Sequence, residues 1–349
     1  MRVGIAGFPR SGKTTIFNAL TGQHVDVGGF TEPGKVHLGT IKVPDPRIDR
    51  LSEIFRPRKT TYAEIVFVDF PAAESGSGSA LDTATLTQMR ETDALVQVVR
   101  GFPDPITLDV PEPGRDFTNF KSELLLADLV LIERRLERLQ KEKGKEHERA
   151  VLERCKAHLD AEQALRTLEL SADELTAVAG FGFLSLRPLM AVLNVGEADV
   201  RGDLPPDVAP LLAAEGVQGL VLSGQIEMEI SALDPSDRQA FLDDLGLRAP
   251  ARDRFVRAAY ELLDQISFLT TGEDEVRAWT IRRGTSAVKA AGKIHSDIER
   301  GFIRAEVVHY DDFVQYGSEA RCREVGKLRL EGKEYVVKDG DIIHFRFNV

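Results

Sequence analysis

The octapeptide Gly7-Phe8-Pro9-Arg10-Ser11-Gly12-Lys13-Thr14 constrains this 349-residue chain more than any other stretch. It fits G-x-x-x-x-G-K-[ST], a loop that cradles phosphate. Two glycines let the backbone curl so that several N–H groups point inward at an anion. Lys13 adds a point charge, and the Thr14 hydroxyl suits Mg²⁺. The flanking sequence has the order such a site needs. Val3-Gly4-Ile5-Ala6 reads as a short buried strand, and Thr15 to Leu20 reads as a helix whose positive end faces the same anion. The expected cradle is Gly7, Arg10, Ser11, Gly12, Lys13, Thr14 and Thr15, with Lys13 also serving the chemistry.

Composition excludes several classes. Hydrophobic residues make up 42% and charged residues 29%, ordinary for a globular protein. No apolar run approaches a membrane span, and Met1 leads straight into a strand, so no leader is expected. Cys155 and Cys322 lie far apart, with no zinc or disulfide spacing. Two reduced thiols and a cytoplasmic location are expected. The net charge of -11 opposes global attraction to nucleic acid. DNA sequence readout is not expected, and any RNA contact needs a local basic face.

Along the chain, strands alternate with helices. Thr40–Val43 reads as a strand, and residues 48–55 have helical spacing. Ala63 to Phe70 is an apolar strand carrying Asp69 near its end, where phosphate-loop proteins hold Mg²⁺. Residues 83–92 read as helix and 94–100 as a buried strand. From about Phe117 two long amphipathic stretches surround a charged break at 141–146, predicting an antiparallel helical hairpin with a second helix over 147–168. Strands return at 188–194 and 219–224, with Asn194 and Ser223-Gly224 at their ends, the ligand edge of an open α/β sheet. Residues 237–245 and 252–269 have helical texture. A β-rich module follows, with strands at 279–281, 303–308, 334–337 and 342–347 and a short helix at 286–294. These patterns predict an α/β fold with a doubly wound, mostly parallel sheet. The expected divisions are 1–116, an inserted hairpin at 117–178, 179–269, and a C-terminal module at 270–349. The histidines His24, His37 and His295 are expected at the surface.

Taken together, these stretches resemble the YchF family, also called Obg-like ATPases, within the translation-factor class of P-loop NTPases. Besides the phosphate loop, the carriers are Val43–Arg47, Arg90–Ala94, Glu123–Asp128, Asn194–Glu197 and the C-terminal runs Arg277–Thr280, Gly301–Glu306, Tyr310–Phe313 and Asp339–Phe345. The resemblance implies a nucleotide domain, an inserted hairpin and a β-grasp-like TGS domain. It implies binding and hydrolysis of ATP with Mg²⁺, and association with ribosomes; a monomer is expected. Thr14 and Asp69 are the expected metal residues, and Lys13 and Asp69 the catalytic ones.

On the base side, guanine-reading relatives use Asn-Lys-x-Asp, whose Asp accepts from guanine. Here the stretch is Asn194-Val195-Gly196-Glu197. An Asn amide matches the N6 donor and N7 acceptor of adenine, so Asn194 fits ATP, with Glu197, Ser223 and Gly224 around the base. The family pattern Asp-x-Ala-Gly is replaced by Asp69-Phe70-Pro71-Ala72, and Ala73 has no side chain to orient water. Either Thr31 or Thr40 is expected to sense the γ-phosphate. A GTPase of the same fold, or a nucleotide-binding adaptor with little hydrolysis, stays open at this point. Arg277, Arg282, Arg283, Lys289, Lys293, Arg300 and Arg304 cluster in sequence as a candidate ribosome or structured-RNA face.

Overall fold

A computed structural model of the chain describes residues 1–25, 36–71, 81–104 and 109–348. Thr31, Ala72 and Ala73 lie outside the described residues. The strands are β1 (Arg2–Ala6), β2 (His37–Lys42), β3 (Lys59–Thr61), β4 (Glu64–Asp69), β5 (Ala94–Gly101), β6 (Leu189–Val195), β7 (Gln218–Leu222), β8 (Gln265–Thr270), β9 (Glu275–Arg282), β10 (Phe302–His309), β11 (Arg329–Glu331) and β12 (Asp341–Phe347). They form two sheets, ordered β2-β4-β1-β5-β6-β7 and β11-β10-β12-β8-β9-β3. The chain divides into two compact units, Met1–Ile41 with Val66–Phe255, and Lys42–Ile65 with Val256–Val349.

In the first unit β1 pairs in parallel with both β4 and β5, and β5–β6 and β6–β7 continue the parallel register. Strands covered on both faces read as unbroken apolar runs. Leu95, Val96, Val98 and Val99 of β5 are all buried for that reason. Because β1 connects to one neighbour on each side, its C-terminal end is a switch point where a crevice opens. The phosphate loop leaves β1 there and enters α1 (Lys13–Thr21). Helix α2 (Pro46–Phe55) belongs to the second unit, and α3 (Thr83–Met89) to the first.

The expected hairpin consists of α4 (Pro113–Leu139) and α5 (Glu146–Asp160). Leu125, Ile132 and Leu139 share a core with Val151, Leu152, Cys155 and Leu159. Gly144, at φ 75°, turns the chain, and Arg135 clamps the turn by reaching both Glu142 and Glu148. The second helix stops at Asp160 rather than 168. Glu162 takes a positive φ of 58°, and only the short 3-10 turn Leu165–Thr167 follows. The hairpin base is anchored by Asp128, fully buried. Its carboxylate accepts from Leu184 N (3.0 Å), Ser185 N (2.7 Å), Ser185 Oγ (2.8 Å) and Arg90 Nη1 (2.8 Å). A buried carboxylate is tolerated when its lone pairs are filled this way.

The second unit departs from the sequence reading in several places. Residues 265–269, expected as helix, form β8, which pairs antiparallel with β9 from Gln265↔Arg282 to Thr270↔Arg277. The preceding helix ends at Leu262 and Asp264 adopts φ 50°, a left-handed break made without glycine. The alternation of Ile266, Phe268 and Thr270 then suits a strand. The expected boundary at 270 falls inside β8. Residues 334–337, expected as a strand, make one bridge only, Val336 to Ser286. β12 pairs instead with β10 and β8.

On β12, between β10 and β8 in the second sheet, His344 Nε2 lies 2.8 Å from Glu319 Oε1. The bond to Glu319 holds the imidazole above its ordinary value, outweighing burial, and holds the Glu319 carboxyl below its own. A raised imidazole stabilises the fold at low pH and loses that contribution as pH climbs through its folded value. A depressed carboxyl loses its contribution as pH falls through its folded value. Thermal melts should therefore show stability lost above about pH 6.5 and a flatter limb in His344→Gln. With side chains 38% and 34% exposed, the pair is worth about 1 kcal/mol or less. Identical high-pH limbs in the two proteins would show that the contact contributes nothing.

Candidate functional site

The loop after β1 is tightly curled, with Gly7, Arg10 and Gly12 all at positive φ. Gly7 has φ 148° and a Cβ there would collide with the Val98 carbonyl; Gly12 has φ 85° and a Cβ would collide with the Asn194 amide. Both positions thus need glycine for conformation and for space. Arg10 also takes a left-handed φ of 60°, and its guanidinium reaches Asp104 at 3.2 Å. Its charge is thus shared with an acid rather than held for phosphate alone. Ser11 is buried, with its Oγ unpartnered among the described residues.

Lys13 is 6% exposed and its Nζ donates to the Phe8 carbonyl at 3.0 Å. Burial pushes its ammonium down to about 8, against the field of Asp69, which favours the charge. An almost fully desolvated cation beneath a phosphate loop is what a polyphosphate would relieve. Thr15 is half-buried on α1 and packs over Gly224, the first residue of α8, the helix Gly224–Ala232.

Thr14 Oγ1 donates to Asp69 Oδ2 at 2.9 Å, so the two expected metal residues, 55 apart in sequence, do meet. Burial pushes the Asp69 carboxyl up, while the Thr14 hydroxyl, Lys13 and His37 favour its anion. Asp69 Oδ1 is buried with no hydrogen-bond partner among the described residues. A buried carboxylate oxygen left open beside a hydroxyl fits a hard divalent cation, so the residues present suit Mg²⁺. Thr40 is exposed on β2, on the opposite side of the strand from the half-buried His37. It is not among the groups that meet at Asp69.

Asn194 is placed differently from the reading of its residue type. Its Nδ2 donates to the Ser11 carbonyl at 2.9 Å, and its Oδ1 accepts from Gly224 N at 2.9 Å. The amide ties the phosphate loop to the loop after β7. One N–H and one oxygen lone pair remain for a base. Ser223 caps α8, its Oγ accepting from Ile226 N at 3.5 Å. Glu197 begins the exposed 3-10 turn Glu197–Asp199, its carbonyl accepting from Val200 N at 3.4 Å.

Sequence reasoning missed His37. Expected at the surface, it is half-buried, with Nδ1 3.8 Å from Asp69 Oδ2. No residue type or spacing signals this, because the strand reads from Thr40 and His37 falls before it.

In the second unit the linear basic cluster is largely neutralised. Arg277 stacks on Trp279 at 3.8 Å and pairs with Glu275; Arg283 pairs with Asp264, Lys289 with Glu299, and Arg300 with Asp297. Arg282, Lys293 and Arg304 have no ion-pair partner among the described residues.

Comparison with known proteins agrees with this architecture. Residues 2–145 match a family model described as 50S ribosome-binding GTPase, and residues 265–348 match the YchF-GTPase C-terminal model, described as a protein of unknown function. The chain is 40% identical over 363 residues to the ribosome-binding ATPase YchF of Pasteurella multocida, covering 100% of this chain and 99% of the relative. It is 36% identical over 367 residues to that of Bacillus subtilis, covering all of both chains. The solved structure of the Schizosaccharomyces pombe YchF GTPase superposes with a TM-score of 0.88 at 29% identity, over 99% of this chain and 97% of that one.

Proposed function

This chain belongs to the YchF family, and from that membership we propose that it is a ribosome-binding nucleoside triphosphatase that favours ATP over GTP. The observation carrying the reading is the preformed cradle, with Lys13 buried beneath the loop and the Thr14 hydroxyl on Asp69. Lys13 offers charge to the terminal phosphates, and the N–H groups of the loop fix their orientation. Thr14 and Asp69 would hold Mg²⁺, which would supply positive charge against the charge that develops in phosphoryl transfer. Intrinsic hydrolysis should be slow, because Pro71, Ala72 and Ala73 supply no side chain to orient water.

The relatives' names differ on the base. The bacterial proteins are called ATPases and the S. pombe protein a GTPase. What favours ATP here is the missing Asp of the guanine-reading pattern, together with the donor and lone pair left on Asn194. Titration calorimetry with Mg²⁺ present tests this. Mg-ATP should bind at least tenfold tighter than Mg-GTP, about 1.4 kcal/mol. GTP tighter by the same factor would replace the ATP reading with a GTPase. For the ribosome, the unpaired Arg282, Lys293 and Arg304 are the contacts we favour, within a C-terminal unit we read as TGS-type. No described helix is long and apolar enough to cross a membrane; a ribosome partner supports our reading of a cytoplasmic protein, which we also read as a monomer.

A further inference from the structure

β2 starts at His37, and the imidazole lies beside the acid expected to hold the metal. Nδ1 is 3.8 Å from Asp69 Oδ2, and the side chain is 20% exposed. The Phe17 ring of α1 lies 6.5 Å from the imidazole, centroid to centroid, tilted by 44°. The gap to Asp69 is too long for a hydrogen bond. His37 Nδ1 and Asp69 Oδ1 are both buried without a hydrogen-bond partner among the described residues. Leaving one such atom unpaired costs about 1–3 kcal/mol. Two of them a few ångströms apart, beside the Thr14 hydroxyl, become a set of lone pairs for a cation when His37 carries its proton on Nε2.

We propose that His37 is a third protein donor, through Nδ1, to the divalent ion that accompanies the nucleotide, making a His37–Thr14–Asp69 site that favours Mn²⁺ over Mg²⁺. The proposal rests on the nucleotide-binding reading above. Its chemistry follows from ligand type. Mg²⁺ prefers an all-oxygen octahedron and retains its waters. Imidazole nitrogen suits first-row transition ions better than Mg²⁺, so one nitrogen in the set shifts preference toward Mn²⁺. β2 is the edge strand beside β4, and its pairing with β4 is what carries a residue so distant in sequence to Asp69. His37 is therefore held by the sheet and not by a loop.

Mn²⁺ spectroscopy on the full chain tests the site directly. The protein is saturated with a non-hydrolysable ATP analogue, and bound Mn²⁺ is titrated by loss of the free-ion paramagnetic resonance signal, in competition with Mg²⁺. The Mn²⁺ preference should exceed that of the free analogue at least fivefold, and His37→Asn should abolish the excess. Electron spin-echo modulation on protein labelled with ¹⁵N-histidine should show coupling between bound Mn²⁺ and histidine nitrogen; this readout needs no variant. Bound nucleotide and Mn²⁺ without that coupling, or an unchanged preference in a variant with native circular dichroism, would overturn the His37 assignment while leaving the nucleotide reading intact. An analogue that does not bind at all would overturn both.

Discussion

Lys13→Met should lower affinity for Mg-ATP at least 100-fold, about 2.8 kcal/mol, and leave the melting temperature unchanged or higher. The two effects have one origin. In the free protein the Lys13 ammonium is almost fully enclosed, held by the Phe8 carbonyl at 3.0 Å and by the field of Asp69. Burial has pushed it down to about 8, so the folded chain carries a charge it would rather shed. Methionine keeps the volume of the stem and removes that charge. The Phe8 carbonyl loses this donor but still accepts from Ser11 N at 3.3 Å, so the loss is that of one hydrogen bond, about 1 kcal/mol, which the relief of the buried ammonium offsets. With triphosphate present the balance reverses, because the cradle loses its one buried cation at the terminal phosphates. Calorimetry and thermal melts on the same samples measure both. An affinity within threefold of wild type would take Lys13 out of the binding argument; a fall of many degrees in melting temperature would show that its role is structural.

Legibility in this chain depended on how local the responsible contacts are. The phosphate loop could be read because strand, loop and helix follow one another, and the two glycines answer to backbone needs within eight residues. Asp69 was legible as an acid closing an apolar strand. Its partnership with Thr14 followed from the loop type. His37 was not legible, since its neighbourhood is set by the edge position of β2 beside β4, a long-range feature. The helix ends were misjudged for a related reason. Glu162 and Asp264 take left-handed φ without being glycine, so no residue type announced the breaks at 160 and 262. β8 was then absorbed into the helix before it. The joining of residues 42–65 to the C-terminal unit was hidden too. It rests on the parallel pairing of Lys59–Thr61 with Glu275–Arg277, more than 200 residues away.

Asn194 was found as a residue, but the geometry adds a role that its type alone did not suggest, and Asn194→Ala separates the two. Its Nδ2 and Oδ1 satisfy the Ser11 carbonyl and the Gly224 N–H, at 2.9 Å each, and the residue is 4% exposed. Alanine leaves two buried backbone groups unpaired. Each costs about 1–3 kcal/mol, so the variant should lose roughly 2–5 kcal/mol of stability. The Ser11 carbonyl sits inside the phosphate loop, so freeing it also loosens the cradle that Gly12, Lys13 and Thr14 share. Affinity for both nucleotides should fall by at least tenfold, and that for ATP further, because the donor and lone pair left on the amide are lost as well. Asn194→Asp is the companion. It keeps an acceptor for Gly224 N but sets a carboxylate oxygen against the Ser11 carbonyl, two acceptors facing each other in a buried place. It should be at least as unstable as alanine. If instead Asn194 acts chiefly on adenine, alanine would lower ATP affinity alone, the ratio of ATP to GTP affinity would collapse, and the melting temperature would hold. Chemical denaturation with both nucleotide titrations distinguishes the outcomes. A shift in the ratio without a loss of stability would show that the tie between the two loops is incidental and that base recognition is the work of this amide.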